Sequence, residues 1–103
     1  MTDIHVHESG SVVAAVGDAV VVHLENPAAT GYQWSPLVTG TAVVEESTDV
    51  VRAGSDAPGE SGEWQMVLRA SEPGSAHAAF DLVRAWEPMA PIDHVDLEIR
   101  VEA

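Results

Sequence analysis

A chain of 103 residues with no linker or internal repeat is expected to form one domain, spanning 1–103, and the absence of cysteine excludes disulfides, thiol catalysis, cysteine-ligated zinc and iron–sulfur chemistry. Seventeen acidic residues against four basic ones give a formal charge of -13, which repels phosphate backbones and anionic bilayers, so neither nucleic acid nor membrane is an expected partner. The acidity reads first as solubility, with steering towards a basic target as its functional alternative.

In chain order, Ile4 and Val6 alternate with His5 and His7 in a short edge strand closed by Glu8-Ser9-Gly10. Residues 12–16 form a second apolar run, stopped by Gly17-Asp18. Residues 19–24 form a central strand with Val20, Val22 and Leu24 on one face. Tyr32 and Trp34 point to one side of the next strand, which Ser35-Pro36 is expected to interrupt or bend, keeping it short. Val43-Val44 and Val50-Val51 flank a polar segment, suggesting two short strands around a turn, with a single bent strand as the alternative. Residues 53–62, rich in glycine, serine and acids, read as an exposed loop.

The last three strands are clearer. Trp64, Met66, Leu68 and Ala70 share one face, and Ser71-Glu72-Pro73-Gly74 turns the chain. Ala76, Ala78, Phe80 and Leu82 form the next apolar face, leading into Arg84-Ala85-Trp86 before Pro88 and Pro91 end regular pairing. Val95, Leu97, Ile99 and Val101 then alternate with His94, Asp96, Glu98 and Arg100. No stretch shows helical periodicity over ten residues. The expectation is an all-β, immunoglobulin-like sandwich of about seven or eight antiparallel strands. Residues 1–5 lack the basic head and apolar middle of a signal peptide, and no apolar run reaches the length of a bilayer span. A soluble protein is expected, cytoplasmic as it stands or secreted if a signal was removed.

The functional signal lies in the turns. In Asn26-Pro27-Ala28-Ala29-Thr30-Gly31-Tyr32-Gln33-Trp34, Pro27 fixes its own φ and biases Asn26 towards an extended shape, Gly31 can take a positive φ, and Thr30 can bond nearby backbone. Such a stiff loop, with no acid, base or nucleophile of its own, suits insertion into a cleft better than catalysis. The run resembles the Asn-Pro-Thr-Thr-Gly-Tyr loop of the chagasin family, immunoglobulin-like inhibitors of papain-type cysteine proteases, with that family's Trp two residues on. Ala28-Ala29-Thr30 stands where the family has two threonines, making this loop one residue longer. Ala57-Pro58-Gly59-Glu60 resembles the family's Gly-x-Gly-Gly loop, with Glu60 in place of a glycine, and Arg84-Ala85-Trp86 resembles its Arg-Pro-Trp loop.

The resemblance implies a reversible inhibitor, not an enzyme, acting as a monomer on a papain-like cysteine protease without a cofactor. Its protease-binding residues would be Asn26, Pro27, Ala28, Ala29, Thr30, Gly31 and Tyr32 in the first loop, Pro58, Gly59 and Glu60 in the second, and Arg84, Ala85 and Trp86 in the third. Trp86 would be the energetic anchor, and Arg84 would stack or meet an acid. Trp34 and Trp64 read as core residues. The rival class is a carbohydrate-binding or adhesion module, since loop tryptophans also stack on sugars. His5, His7, His23, His77 and His94 could suggest a metal site, yet exposed strand histidines are the plainer reading, and no metal is expected. No nucleophile with an ordered base stands out to suggest catalysis.

Overall fold

Period-two alternation of apolar and polar residues leaves each strand with one face to bury, and two sheets meeting face to face satisfy all of them at once. The computed structural model describes residues 2–26, 32–51, 62–84, 86, 89 and 91–103. Eight strands are present: β1 (Asp3–Val6), β2 (Gly10–Ala15), β3 (Ala19–Asn26), β4 (Tyr32–Thr39), β5 (Val43–Val51), β6 (Gly62–Ala70), β7 (Gly74–Arg84) and β8 (Asp93–Glu102). They form two four-stranded sheets, ordered β1-β3-β6-β5 and β2-β8-β7-β4. The expected β-sandwich is therefore the observed one. Among the described residues no helix is long and apolar enough to cross a membrane.

The faces named from alternation are the buried ones. Val20 and Val22 from β3, Met66 and Leu68 from β6, Phe80 from β7, and Leu97 and Ile99 from β8 form the most deeply buried part of a core cluster shared by both sheets. Trp64 meets Phe80 edge-on, with ring centroids 5.8 Å apart, in the arrangement favoured by opposite edge and face polarity. No described polar or charged residue is buried.

Four of the six strand pairings are antiparallel; β1 pairs with β3, and β2 with β8, in parallel. The N-terminal segment supplies an edge to each sheet, reversing direction between β1 and β2. Alternation reveals which face is apolar but not which way a neighbour runs. That pairing sense belongs to topology.

The expectation of antiparallel strands throughout is corrected by the parallel β1–β3 and β2–β8 pairs, and several expected strand bounds need correction too. Pro36 does not shorten its strand: β4 continues to Thr39, because it is the edge strand of its sheet and a residue without an N–H is tolerated there. Val43–Val51 is one strand, the single-strand alternative rather than two short strands, with a register shift between Glu45 and Ser47. Glu46 is the extra residue at this bulge, and its carboxylate takes the Arg69 guanidinium through Nε at 2.7 Å and Nη2 at 3.1 Å. Arg69 also donates to the Gly17 carbonyl at 2.9 Å, tying β6 to the turn before β3. The second run begins at Gly10 and ends at Ala15, while Gly62, assigned from sequence to the loop, opens β6.

Candidate functional site

The register brings the ends of several strands together. Asn26, the last residue of β3, pairs with Gly62, the first of β6, and Val51, the last of β5, pairs with Glu63. In the other sheet Tyr32, the first residue of β4, pairs with Arg84, the last of β7. Only five positions separate β3 from β4, so these strand ends lie at the same end of the sandwich. The three loops singled out in the sequence, 26–32, 53–62 and 84–88, belong to the connections 27–31, 52–61 and 85–92 between these strands, which all depart from it.

Asn26, Tyr32 and Arg84 are thus strand-terminal positions, not loop-tip residues. Pro27, Ala28, Ala29, Thr30, Gly31, Pro58, Gly59, Glu60 and Ala85 lie outside the described residues, as does the positive φ expected at Gly31.

Three of the candidate side chains form a layered group. Pairing across β4 and β7 places the Arg84 guanidinium carbon 4.6 Å from the Tyr32 ring centroid, and it also lies 5.8 Å from the centroid of Trp86. Both distances are within reach of cation–π attraction, in which the negative faces of the rings attract a delocalised cation. Arg84 is thus layered against two aromatic rings of its own chain. Trp86 remains 66% exposed. A large aromatic ring partly ordered by a neighbour yet left in water has most of its apolar area available for a partner.

Trp34 sits behind this surface, in the core as expected, with 7% of its area exposed. Its indole N–H donates to the Glu25 carbonyl at 2.9 Å, crossing from β4 to the end of β3. Alternation identified the buried face of Trp34 but missed this bond. It fixes the chain two residues before Pro27 to a side chain three residues after Gly31, so both roots of the first connection are held together. The sole local hint was an indole placed soon after a turn, since a buried indole N–H needs an acceptor.

At the root of the third connection, His94 faces Asp81 across the β7–β8 pair and contacts Asp96 on its own strand. Hydrogen bonds from the ring, to Asp81 first and Asp96 second, hold the imidazolium and raise its pKa above the ordinary value, with nearby carboxylate charge adding to the effect. Asp96 also lies 3.0 Å from His77, whose other acidic neighbour is Glu98 at 3.8 Å. This face therefore braces β7 and β8 below the segment that carries Trp86. The Ile92 N–H, which donates to the Leu82 carbonyl at 2.9 Å, closes the same root through the backbone.

The arrangement offers no organised set of nucleophile, base and oxyanion donors among the described residues. Its chemistry is that of contact: an exposed aromatic, an ordered cation and anchored strand ends. The chain matches the family model described as chagasin family peptidase inhibitor I42 over residues 13–101. No curated protein sequence matches it. Among solved structures it is similar to the crystal structure of the cysteine protease inhibitor EhICP2 from Entamoeba histolytica, with 13% identity, a TM-score of 0.85 and coverage of 98% of this chain and 96% of the other. It is also similar to the solution structure of Amebosin, with 17% identity, a TM-score of 0.77 and coverage of 98% and 97%. A third similar structure is PbICP-C in complex with falcipain-2, with 14% identity, a TM-score of 0.71 and coverage of 99% and 100%. At these identities the structural likeness is one of fold.

Proposed function

The chain belongs to the chagasin family of peptidase inhibitors and is an inhibitor rather than an enzyme; from that premise we propose that it blocks papain-like cysteine proteases by seating one end of its sandwich in the active-site cleft. The single observation that carries the binding mode is the Tyr32–Arg84–Trp86 group: an exposed indole and a guanidinium ordered against a strand aromatic, at the end from which all three connections leave. One similar structure, PbICP-C, is itself in complex with falcipain-2. The carbohydrate-binding alternative gains no support from the family match.

In this proposal Asn26, Pro27, Ala28, Ala29, Thr30, Gly31 and Tyr32 form the central wedge over the catalytic cysteine. Pro58, Gly59 and Glu60 grip one wall of the cleft, while Arg84, Ala85 and Trp86 grip the other. No peptide bond needs to be cut. Inhibition follows from covering the nucleophile with a surface whose roots are already fixed, here by the Trp34–Glu25 hydrogen bond, so less conformational freedom is lost on docking. The protein acts as a soluble single-domain monomer.

Titration of papain activity with the purified protein, alongside trypsin, tests the proposal. Papain should be inhibited reversibly with the 26–32 segment intact after prolonged incubation, and trypsin should be unaffected. Full papain activity at micromolar inhibitor, repeated with other papain-like proteases, would sink the reading.

A further inference from the structure

The end of the sandwich that carries the three connections is uneven. β8 begins at Asp93, which pairs with Leu82, whereas β7 continues past that point, its Val83 and Arg84 backed by Gln33 and Tyr32 of β4. The connection 85–92 therefore leaves from a projecting strand and returns to a recessed one, where the Ile92 N–H donates to the Leu82 carbonyl at 2.9 Å. A connection this short between adjacent antiparallel strands turns straight back, so its residues stay at this end of the molecule.

Three of its large apolar side chains stand in water. Trp86 is 66% exposed, Met89 92% and Ile92 58%. The other exposed large apolar residues among those described, Val13, Val16, Leu37, Val44 and Val50, are spread over β2, the turn after it, β4 and β5. Scattered in that way such residues need no explanation, but Trp86, Met89 and Ile92 share one short segment of a chain with a formal charge of -13. None of the three belongs to the core cluster.

Given the inhibitor function proposed for this end of the molecule, we propose that Met89 and Ile92 extend the Trp86 contact into one apolar strip, and that the strip selects papain-like proteases whose cleft wall is apolar where it meets them. The occupant follows from continuity. Trp86 is layered on Arg84, and Met89 and Ile92 lie on the same short connection, so a protease that covers the indole reaches them without a second interface. Methionine suits such a contact, because its unbranched, polarisable thioether fits irregular surfaces. The segment also contains Pro88 and Pro91, and a fixed φ at each proline leaves fewer conformations to lose on docking. A wall bearing charged side chains would be left desolvated against thioether and aliphatic carbon, which disfavours proteases of that kind.

The test measures inhibition constants of the full chain against papain and other papain-like proteases, then compares variants on the protease inhibited most tightly. The double variant Met89→Ser/Ile92→Ser should weaken inhibition at least about tenfold with Tm almost unchanged, as expected when two apolar side chains lose their buried contact. Met89→Leu should recover most of the loss seen in Met89→Ser, and Met89→Lys should lose more than Met89→Ser, because a charge is then desolvated. Val13→Ser removes a 61% exposed valine that pairs with Arg100, towards the far end of β8, and should leave inhibition unchanged. Sedimentation of the free protein should show a monomer. A smaller loss in the double variant, a matching fall in Tm, an equal loss in Val13→Ser, or tighter inhibition by Met89→Lys overturns the proposal. So does a dimer that Met89→Ser dissolves, since a second copy would then cover the strip. If the wild type inhibits no papain-like protease, the inhibitor function itself fails; if it inhibits and Trp86→Ala weakens it while the double variant does not, only the apolar strip fails.

Discussion

At the scale of single residues, exposure separates side chains that hold the fold from those available to a partner. Trp64 is 9% exposed and packs on Phe80, whereas Trp86 is 66% exposed and lies beside the Arg84 guanidinium. Trp86→Ala should therefore weaken papain inhibition by about 1–3 kcal/mol, as an aromatic interface anchor does, with Tm almost unchanged; inhibition constants and melting curves for the same preparation check both halves. A loss of stability equal to the loss of inhibition would make Trp86 part of the core instead. Gly40 is the reverse case. Its φ is +95°, and a Cβ there would lie 2.7 Å from the Ser75 carbonyl oxygen and 3.1 Å from the Ala76 Cα, both backbone atoms that cannot step aside. Gly40→Ala should destabilise the fold by about 1–3 kcal/mol, read as a lower urea midpoint, while papain inhibition measured well below the transition stays intact. The turn concerned lies at the far end from the strand termini that frame the candidate site.

At the scale of elements, strands β3 and β4 belong to different sheets and are joined across one end of the sandwich, so the geometry of their connection depends on how firmly its roots are held. The Trp34 indole bonded to the Glu25 carbonyl is the described side-chain link between those roots. Trp34→Phe keeps an aromatic ring in the core but leaves that carbonyl without its indole donor, at a cost of about 1 kcal/mol for the hydrogen bond plus a contribution from lost ring volume. Inhibition should fall by more than the change in folded fraction explains, since a looser root gives the wedge more conformations to lose on docking. Chemical denaturation and inhibition assays on the same variant check this; inhibition unchanged in a folded Trp34→Phe protein would show that the bond serves the core alone. The β5 bulge illustrates the opposite end of the molecule, where an extra residue aims Glu46 at Arg69, and hydrogen bonding by that guanidinium lowers the Glu46 pKa.

At the scale of the whole molecule, pH acts on stability from two sides. His94 has a folded pKa raised above its ordinary 6.5 by hydrogen bonds to Asp81 and Asp96. A group with a raised folded pKa stabilises fully below its unfolded value, and that contribution is lost as pH climbs through the folded value. Asp18 and Glu46 have pKa values below their ordinary 3.8 and 4.5, Asp18 through backbone hydrogen bonds from Ala15 and Thr2, and Glu46 through Arg69. Their stabilisation is present above those ordinary values and lost as pH falls through the lowered ones. Tm should peak in the mildly acidic range where the carboxylates are ionised and His94 is protonated. Such acidity also reduces the repulsion implied by a formal charge of -13 at pH 7. Melting curves across pH for the wild type and His94→Gln check the assignment: the variant should lose part of the decline on the alkaline side, and an unchanged profile would place the titrating group elsewhere.

The class of fold, the inward faces of β3, β6, β7 and β8, the core placement of Trp34 and Trp64, and the family were legible in the residues, because these follow from local alternation and from short motifs in order along the chain. The sequence could not give the parallel sense of β1 and β2 or the persistence of β4 through Pro36, and it left open whether Val43 to Val51 forms one bent strand or two. Each depends on which strand lies alongside: an edge tolerates a missing N–H, and a bulge is defined only against a partner. The side-chain groups were hidden for the same reason. Arg84 meets Tyr32 only because β4 and β7 pair in that register, and His5, His7 and His23 come together only because β1 lies parallel to β3. Periodicity says which way a side chain points; tertiary structure alone decides what it meets there.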